Sequence, residues 1–140
     1  MNNYQERLYN EWKTHGKILI AADWDSTIEH WPTIVNDEDR KEVIELLQAA
    51  YNIGAYITIW TACKPDRFEE IQKRCDELKI PISSINKNPI DLPYGNHGKI
   101  FYNILLDDRA GLLEAMNNLR VVMNEIMTDN SRKLTLGEHA

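Results

Sequence analysis

The chain of 140 residues is 43% hydrophobic and 27% charged, a composition typical of a globular protein, and its length favours a single domain over residues 1–140. Its formal net charge is −6 and it has no stripe of lysine and arginine, which argues against sequence-independent binding of duplex nucleic acid. No apolar run approaches the roughly 20 residues that cross a bilayer, and the first residues lack a signal-peptide pattern. We therefore expect a cytoplasmic protein with no membrane contact.

The predicted elements begin with an amphipathic helix over residues 1–15, where apolar side chains recur at helical spacing. The run KILIAAD follows and predicts a buried strand. Residues 28–37 contain a proline and polar ends, which indicates a loop or small flap over the end of this strand. A helical stripe of apolar residues then stops before Gly54, and AYITIW over 55–60 predicts the second strand.

The second half of the chain continues the alternation of helix and strand. Pro65 suits the first position of a helix. IPISSIN over 80–86 predicts a third, weaker strand, and the prolines and glycines of residues 87–98 indicate a long irregular connection. FYNILL over 101–106 predicts a fourth strand, which a final helix follows. The tail over 128–140 is polar, and we expect it to be frayed.

This alternation predicts an α/β protein with a three-layer, Rossmann-like fold, a mainly parallel sheet and a strand order of about 3-2-1-4. In such folds the ligand crevice lies beyond the carboxyl ends of the strands. Five polar residues follow or end the predicted strands, and we expect them to converge on that edge. They are Asp23, Asp25, Thr61, Asp107 and Asp108.

Two aspartates separated by one residue at a strand end repel each other, so a cation or a phosphoryl group between them would explain the pair. Carboxylates gathered with only oxygen ligands suit Mg²⁺ better than zinc, and Mg²⁺ shares its coordination sphere with phosphate oxygens. The implied substrate is a phosphate ester. The hydroxyl of Thr61 could donate to a phosphoryl oxygen, and Lys99, eight residues before Asp107, could neutralise its charge.

The order of these motifs resembles the haloacid dehalogenase superfamily of phosphatases. Its pattern is an apolar strand ending in D-x-D-x-T, a second strand ending in Thr or Ser, and a lysine before a strand ending in acidic residues. The counterparts here are AADWDST, ITIWT, Lys99 and ILLDDR, and they cover residues 17 to about 112. The likeness is greatest to small phage and bacterial members whose second motif reads like WT-C-R.

The resemblance implies a catalytic role for four residues. Asp23 would be the nucleophile that forms an aspartyl-phosphate, and Asp25 would be the general acid and then the general base. Thr61 and Lys99 would orient and neutralise the phosphoryl group.

The resemblance also implies a Mg²⁺ site and, with it, a Mg²⁺-dependent phosphomonoesterase. The metal would be bound by the side chain of Asp23, the backbone carbonyl of Asp25 and the side chain of Asp107. Asp108 would be a further ligand, either direct or through water.

Two positions depart from the family pattern. Ser26 stands where glycine is common, which adds a Cβ where the backbone turns sharply. The arginine of the second motif has its counterpart in Lys64, shifted by one residue, and we assign Lys64 no role.

The chain leaves no room for a cap domain between these motifs. An open site would accept a phosphorylated small molecule, a nucleotide or a nucleic-acid end, or would borrow a lid from a second copy of the chain. Trp24, Trp31 and Tyr94 could stack on a base near the opening, although packing explains the tryptophans equally well. We expect His30 and His97 to be polar surface residues.

Two other functions remain open from the sequence. One is a catalytically weak relative that acts as a binding or assembly protein, suggested by Ser26 and the missing cap. The other is a phospho-accepting receiver domain, which also uses Asp, Thr, Lys and an acidic pair at strand ends. In receivers, however, the acidic pair follows the first strand, whereas here a D-x-D opens the series and the acidic pair closes it.

Overall fold

A computed structural model describes residues 1–29, 37–90 and 98–135. It is an α/β protein with a four-stranded parallel sheet in the order β3-β2-β1-β4, which confirms the predicted fold class and strand order. The described elements are α1 (Asn3–His15), β1 (Ile18–Asp23), α2 (Asp37–Asn52), β2 (Ala55–Trp60), a 3₁₀ turn (Pro65–Arg67), α3 (Phe68–Leu78), β3 (Ser84–Ile85), β4 (Ile104–Leu106) and α4 (Leu112–Thr135).

The central strand β1 owes its position to its apolar run. It pairs with β2 over its whole length and with β4 over three residues, and its side chains from Ile18 to Ala22 are all buried. A parallel strand covered on both faces requires such a continuous apolar sequence. The strand becomes polar only at Asp23, its last residue, where the buried layer ends.

The first helix has sequence-encoded ends. The side chain of Asn2 accepts a hydrogen bond from the backbone N–H of Gln5, and the side chain of Gln5 accepts one from the N–H of Asn2, which forms a capping box. Gly16 ends the helix in the left-handed conformation at φ 73°. The helix packs against α4 and β1, so it belongs to the folded domain.

The final helix is longer than predicted. A frayed tail was expected over 128–140, but α4 continues to Thr135. Contacts with the first helix explain the difference, because the hydroxyl of Tyr9 donates to the carboxylate of Asp129, and Nζ of Lys13 lies 3.2 Å from the same carboxylate. Tertiary packing therefore sustains helix in a polar sequence that has little intrinsic reason to remain helical.

The outer strands are shorter than predicted. Of residues 80–86 only Ser84 and Ile85 form β3, and of residues 101–106 only Ile104 to Leu106 form β4. Before β4 a side chain takes part in the pairing, since Oδ1 of Asn103 accepts from the N–H of Leu19 at 2.7 Å. No helix of the described residues is both long and apolar enough to span a membrane.

Candidate metal and phosphoryl site

The segment after β1 folds into a tight turn that carries the D-x-D motif. The carbonyl of Trp24 accepts hydrogen bonds from the N–H groups of Ile28 at 3.1 Å and Glu29 at 3.0 Å, and the N–H of Ser26 donates to the carbonyl of Glu29 at 3.0 Å. Ser26 has a φ of 69°, in the left-handed region that glycine adopts most easily. Ser26 thus adopts the sharp backbone turn for which glycine is common in the family pattern.

Three carboxyl groups meet where β1 and β4 end. Asp23 is the last residue of β1, while Asp107 and Asp108 directly follow β4. The register pairs Ala22 with Leu106, so the next residues of the two strands are Asp23 and Asp107. Each of the three aspartates offers a carboxylate oxygen, and these atoms all lie within 4.8 Å of one another. The expected convergence holds for these three residues.

Thr27 connects the two sides of this acidic cluster. Its side chain is fully buried. Its Oγ1 accepts a hydrogen bond from the backbone N–H of Asp108 at 2.9 Å and lies 3.2 Å from Oδ2 of Asp23 and 3.3 Å from Oδ1 of Asp108. The single hydroxyl hydrogen can serve only one of the two carboxylates at a time. The threonine therefore fixes the spacing of the pair but leaves most of their charge uncompensated.

The pKa of Asp23 reflects the crowding of the three carboxyl groups. Burial raises its pKa from the ordinary 3.8 to about 7, and a hydrogen bond with the carboxyl group of Asp108 together with the charges of Asp107 and Asp108 acts in the same direction. The hydrogen bond from Thr27 opposes the rise. Without a cation, the cluster relieves its repulsion by holding a proton.

These residues fit a hard divalent cation. Such ions prefer carboxylate oxygens, and among the described residues only carboxylates form the cluster. The orientation of Asp107 is fixed by the N–H of Arg109, which donates to its Oδ1 at 2.8 Å. A cation among these oxygens would replace the proton that the raised pKa of Asp23 otherwise retains, because it supplies the missing positive charge.

Asp25 also borders a neighbouring groove. It is not one of the three clustered carboxylates but lines a groove of about 420 Å³ between the turn and α3. The groove also contains Arg67, Lys73 and Arg74, alongside Glu29 and other acidic side chains. Asp25 thus lies two residues from the cluster and borders a cavity large enough for part of a small molecule.

Thr61 directly follows β2 and is almost completely buried. Its Oγ1 accepts a hydrogen bond from the N–H of Cys63 at 3.1 Å, so its hydroxyl hydrogen can be donated elsewhere. The side chain of Asn86 binds the backbone of Thr61 on both sides: Oδ1 accepts from its N–H at 2.8 Å, and Nδ2 donates to its carbonyl at 2.7 Å.

Lys99 is exposed in a second cleft, of about 560 Å³, that Asn86 and Lys87 also line. The described residues that line this cleft include no aspartate or glutamate. The segment of Lys99 is attached to the chain after β3, because Oδ1 of Asn88 accepts from the N–H of Phe101 at 2.9 Å.

Of the aromatic residues considered for base stacking, only Trp24 lies among the described residues. Trp24 is only 3% exposed and belongs to the hydrophobic core, so the packing interpretation is confirmed and this ring cannot stack on a base. Trp31, Tyr94, His30 and His97 lie outside the described residues.

Two residues of the site were not assigned a role from the sequence. The sequence does contain a signal for Thr27, since it is the threonine of the D-x-D-x-T pattern. Asn86 carried no comparable signal, because its contact with Thr61 joins segments 25 residues apart that only the paired strands bring together.

Comparisons with family models, with curated proteins and with solved structures returned no match. The family resemblance of this chain therefore rests on its motifs, and its chemistry on the geometry of the residues described above.

Proposed function

We propose that this chain is a Mg²⁺-dependent phosphomonoesterase of the haloacid dehalogenase type. The observation that carries the proposal is the group formed by Asp23, Asp107 and Asp108, whose oxygens lie within 4.8 Å of one another at the carboxyl edge of a parallel sheet. Crowded carboxylates at this edge are typical of enzymes that bind a phosphate ester together with a hard cation.

In the proposed reaction, an oxygen of Asp23 attacks phosphorus in line, and the bond from phosphorus to the ester oxygen breaks. The proton for the leaving oxygen comes from Asp25, so an alcohol departs and an aspartyl-phosphate remains. Asp25 then takes a proton from water, whose oxygen attacks phosphorus and releases inorganic phosphate and free Asp23. Mg²⁺ held by Asp23, Asp107 and Asp108 would supply the positive charge that keeps Asp23 ionised and balances the charge of the phosphoryl group.

Thr61 and Lys99 complete the proposed phosphoryl site. The hydroxyl of Thr61 has a free hydrogen, since its oxygen already accepts from Cys63. Lys99 would contribute a cation from the cleft that Asn86 and Lys87 also line. Fixed donors and cations aimed at a phosphoryl group are the main source of catalysis in such reactions.

The substrate class is inferred from the groove that Asp25 lines. The groove beside Asp25 contains both cationic and acidic side chains, which suits a polar leaving group. We infer a phosphorylated small molecule, a nucleotide or a nucleic-acid end as the substrate, and a second copy of the chain as a candidate lid.

The conformation of Ser26 favours an enzyme over a catalytically weak binding protein. The substitution of the family's glycine raised that alternative, because a side chain at a sharp turn could distort the motif. Serine adopts the left-handed conformation here, and the turn closes with its hydrogen bonds intact.

Hydrolysis of p-nitrophenyl phosphate tests the proposal directly. We expect turnover with Mg²⁺, none with EDTA, and none in Asp23→Asn. Asp76→Asn is the matched control, since Asp76 is an exposed aspartate on α3 outside the acidic cluster, and it should retain full activity. Normal turnover by Asp23→Asn would refute the proposal.

A second measurement examines the covalent step. Beryllofluoride mimics an aspartyl-phosphate, so it should raise the melting temperature of the wild-type protein when Mg²⁺ is present. The same addition should have no effect on Asp23→Asn. Stabilisation of both proteins to the same extent would show that beryllofluoride binds elsewhere.

A further inference from the structure

The side chain of Asn86 extends the pairing between β2 and β3 by one rung. Its backbone N–H donates to the carbonyl of Ile59 at 2.8 Å, which continues the ladder beyond Ile85. Its carboxamide then takes the place of a peptide group, because it accepts from the N–H of Thr61 and donates to the carbonyl of the same residue. Both backbone groups of Thr61 are held by one side chain.

The position requires an asparagine for two independent reasons. Asn86 has a φ of 55°, in the left-handed region that asparagine tolerates better than most residues. The two hydrogen bonds also need a donor and an acceptor on one short planar group. Aspartate would provide no donor, serine would be too short, and glycine would keep the backbone conformation but lose both hydrogen bonds.

The segment that carries Asn86 is itself fixed. The hydroxyl of Ser84 donates to the carbonyl of Lys87 at 2.6 Å and lies 2.7 Å from the hydroxyl of Thr58, in a buried pair. Two residues beyond Asn86, the side chain of Asn88 accepts from the N–H of Phe101. One short segment thus contacts both the residue after β2 and the chain that follows Lys99.

We propose that Asn86 is a positioning residue for the phosphoryl group and acts through Thr61. It holds the peptide groups on both sides of Thr61, so this almost completely buried residue is kept in one place directly after β2. The inference rests on the proposed phosphatase function and adds to it a residue that does not touch the substrate. A hydroxyl that stabilises the transition state must be placed accurately, since a displacement of about 1 Å can reduce the rate by about 100-fold.

The test is a double-mutant cycle between Asn86 and Thr61, with p-nitrophenyl phosphate as substrate and Mg²⁺ present. Asn86→Gly removes the carboxamide but permits the same φ. We expect kcat to fall about 10-fold to 100-fold with a smaller change in KM. Thr61→Ala should cause a loss of similar size. The double variant should be no slower than Thr61→Ala, because Asn86 has nothing left to position.

Lys79→Gly is the matched control. Lys79 also has a positive φ, at 60°, but it ends α3, where its N–H donates to the carbonyls of Asp76 and Cys75. Its replacement should leave kcat unchanged. If Asn86→Gly does not fold, Asn86→Asp keeps the size of the side chain and turns a carboxylate oxygen towards the carbonyl of Thr61, and it should also lower kcat.

The outcomes separate this inference from the proposed function. A wild-type protein without Mg²⁺-dependent hydrolysis would overturn both. An active wild-type protein with unchanged kcat in Asn86→Gly, or with losses that multiply in the double variant, would overturn the positioning role alone.

Discussion

The backbone N–H of Asp108 donates to the buried hydroxyl of Thr27 at 2.9 Å, and the two residues are separated by 81 positions in the chain. This hydrogen bond joins the turn after β1 to the segment after β4. It keeps the carboxyl group of Asp23 next to that of Asp108, although the two repel each other when ionised.

Replacement of Thr27 by valine should therefore destabilise the protein and weaken the site. The N–H of Asp108 would lose its partner inside the protein, at a cost of about 1–3 kcal/mol. Urea denaturation measures that loss, and a calorimetric titration measures the expected loss of Mg²⁺ affinity. Thr27→Ser retains the hydroxyl and should keep most of the affinity. Equal Mg²⁺ affinities for the valine and serine variants would contradict this role.

The raised pKa of Asp23 predicts how the metal-free protein responds to pH. The folded state keeps the proton of Asp23 up to about pH 7, whereas the unfolded chain releases it near its ordinary pKa of 3.8. Between these values the folded state binds more protons, so stability falls as pH rises. The slope should be well below about 1.4 kcal/mol per pH unit, because water screens the partly exposed group.

The measurement is urea denaturation in EDTA between pH 4.5 and pH 7.5, with Asp23→Asn as the reference. The variant should lose less stability over this interval than the wild-type protein. Mg²⁺ should stabilise the wild-type protein more at pH 7.5 than at pH 5, because the ion displaces the proton. A pH dependence that is the same in both proteins would exclude Asp23 as its source.

Ser26→Gly should stabilise the turn that carries the D-x-D motif. The left-handed conformation costs a residue with a side chain about 1–2 kcal/mol, and the greater freedom of glycine in the unfolded chain offsets part of the gain. We expect a net increase of about 0.5–1 kcal/mol in the free energy of unfolding, measured by urea denaturation. Ser26→Val should be destabilising. A valine variant as stable as the wild-type protein would show that the turn has another conformation.

The ion pair between Arg74 and Glu29 should also stabilise the turn that carries the D-x-D motif. Nε of Arg74 lies 2.6 Å from Oε2 of Glu29, and this contact links the D-x-D turn to α3. A double-mutant cycle should give a coupling near the upper end of the usual 0.2–1 kcal/mol for partly exposed pairs. The exposed pair Lys41 and Glu45, at 3.9 Å, is the control and should give a smaller value. Equal couplings would contradict the anchoring role.

The sequence was sufficient for the central part of the fold. The runs that form β1 and β2 are mostly apolar and rich in residues that favour strands, so the pattern of burial locates both strands. Their carboxyl ends then lie together because parallel strands share one direction. For this reason Asp23 and Asp107 were predicted to be neighbours without knowledge of any distance.

Other features depended on contacts that no local pattern encodes. The two residues of β3 follow from pairing with β2, and α4 reaches Thr135 because Tyr9 and Lys13 bind Asp129. The place of Asp25 beside a groove next to α3 depends on how the turn closes. The carboxamide of Asn86 has a role only once Thr61 lies beside it.

The brevity of the outer strands has a consequence for self-association. Within residues 1–29, 37–90 and 98–135, β3 and β4 are the edge strands of the sheet and contain only two and three residues. An exposed strand border can recruit a strand from another molecule, and a longer border offers more backbone groups to it. Such short edge strands offer few backbone groups for pairing with a strand from another molecule. We therefore expect the sheet to resist amyloid-like stacking even at the high concentrations used for crystallisation.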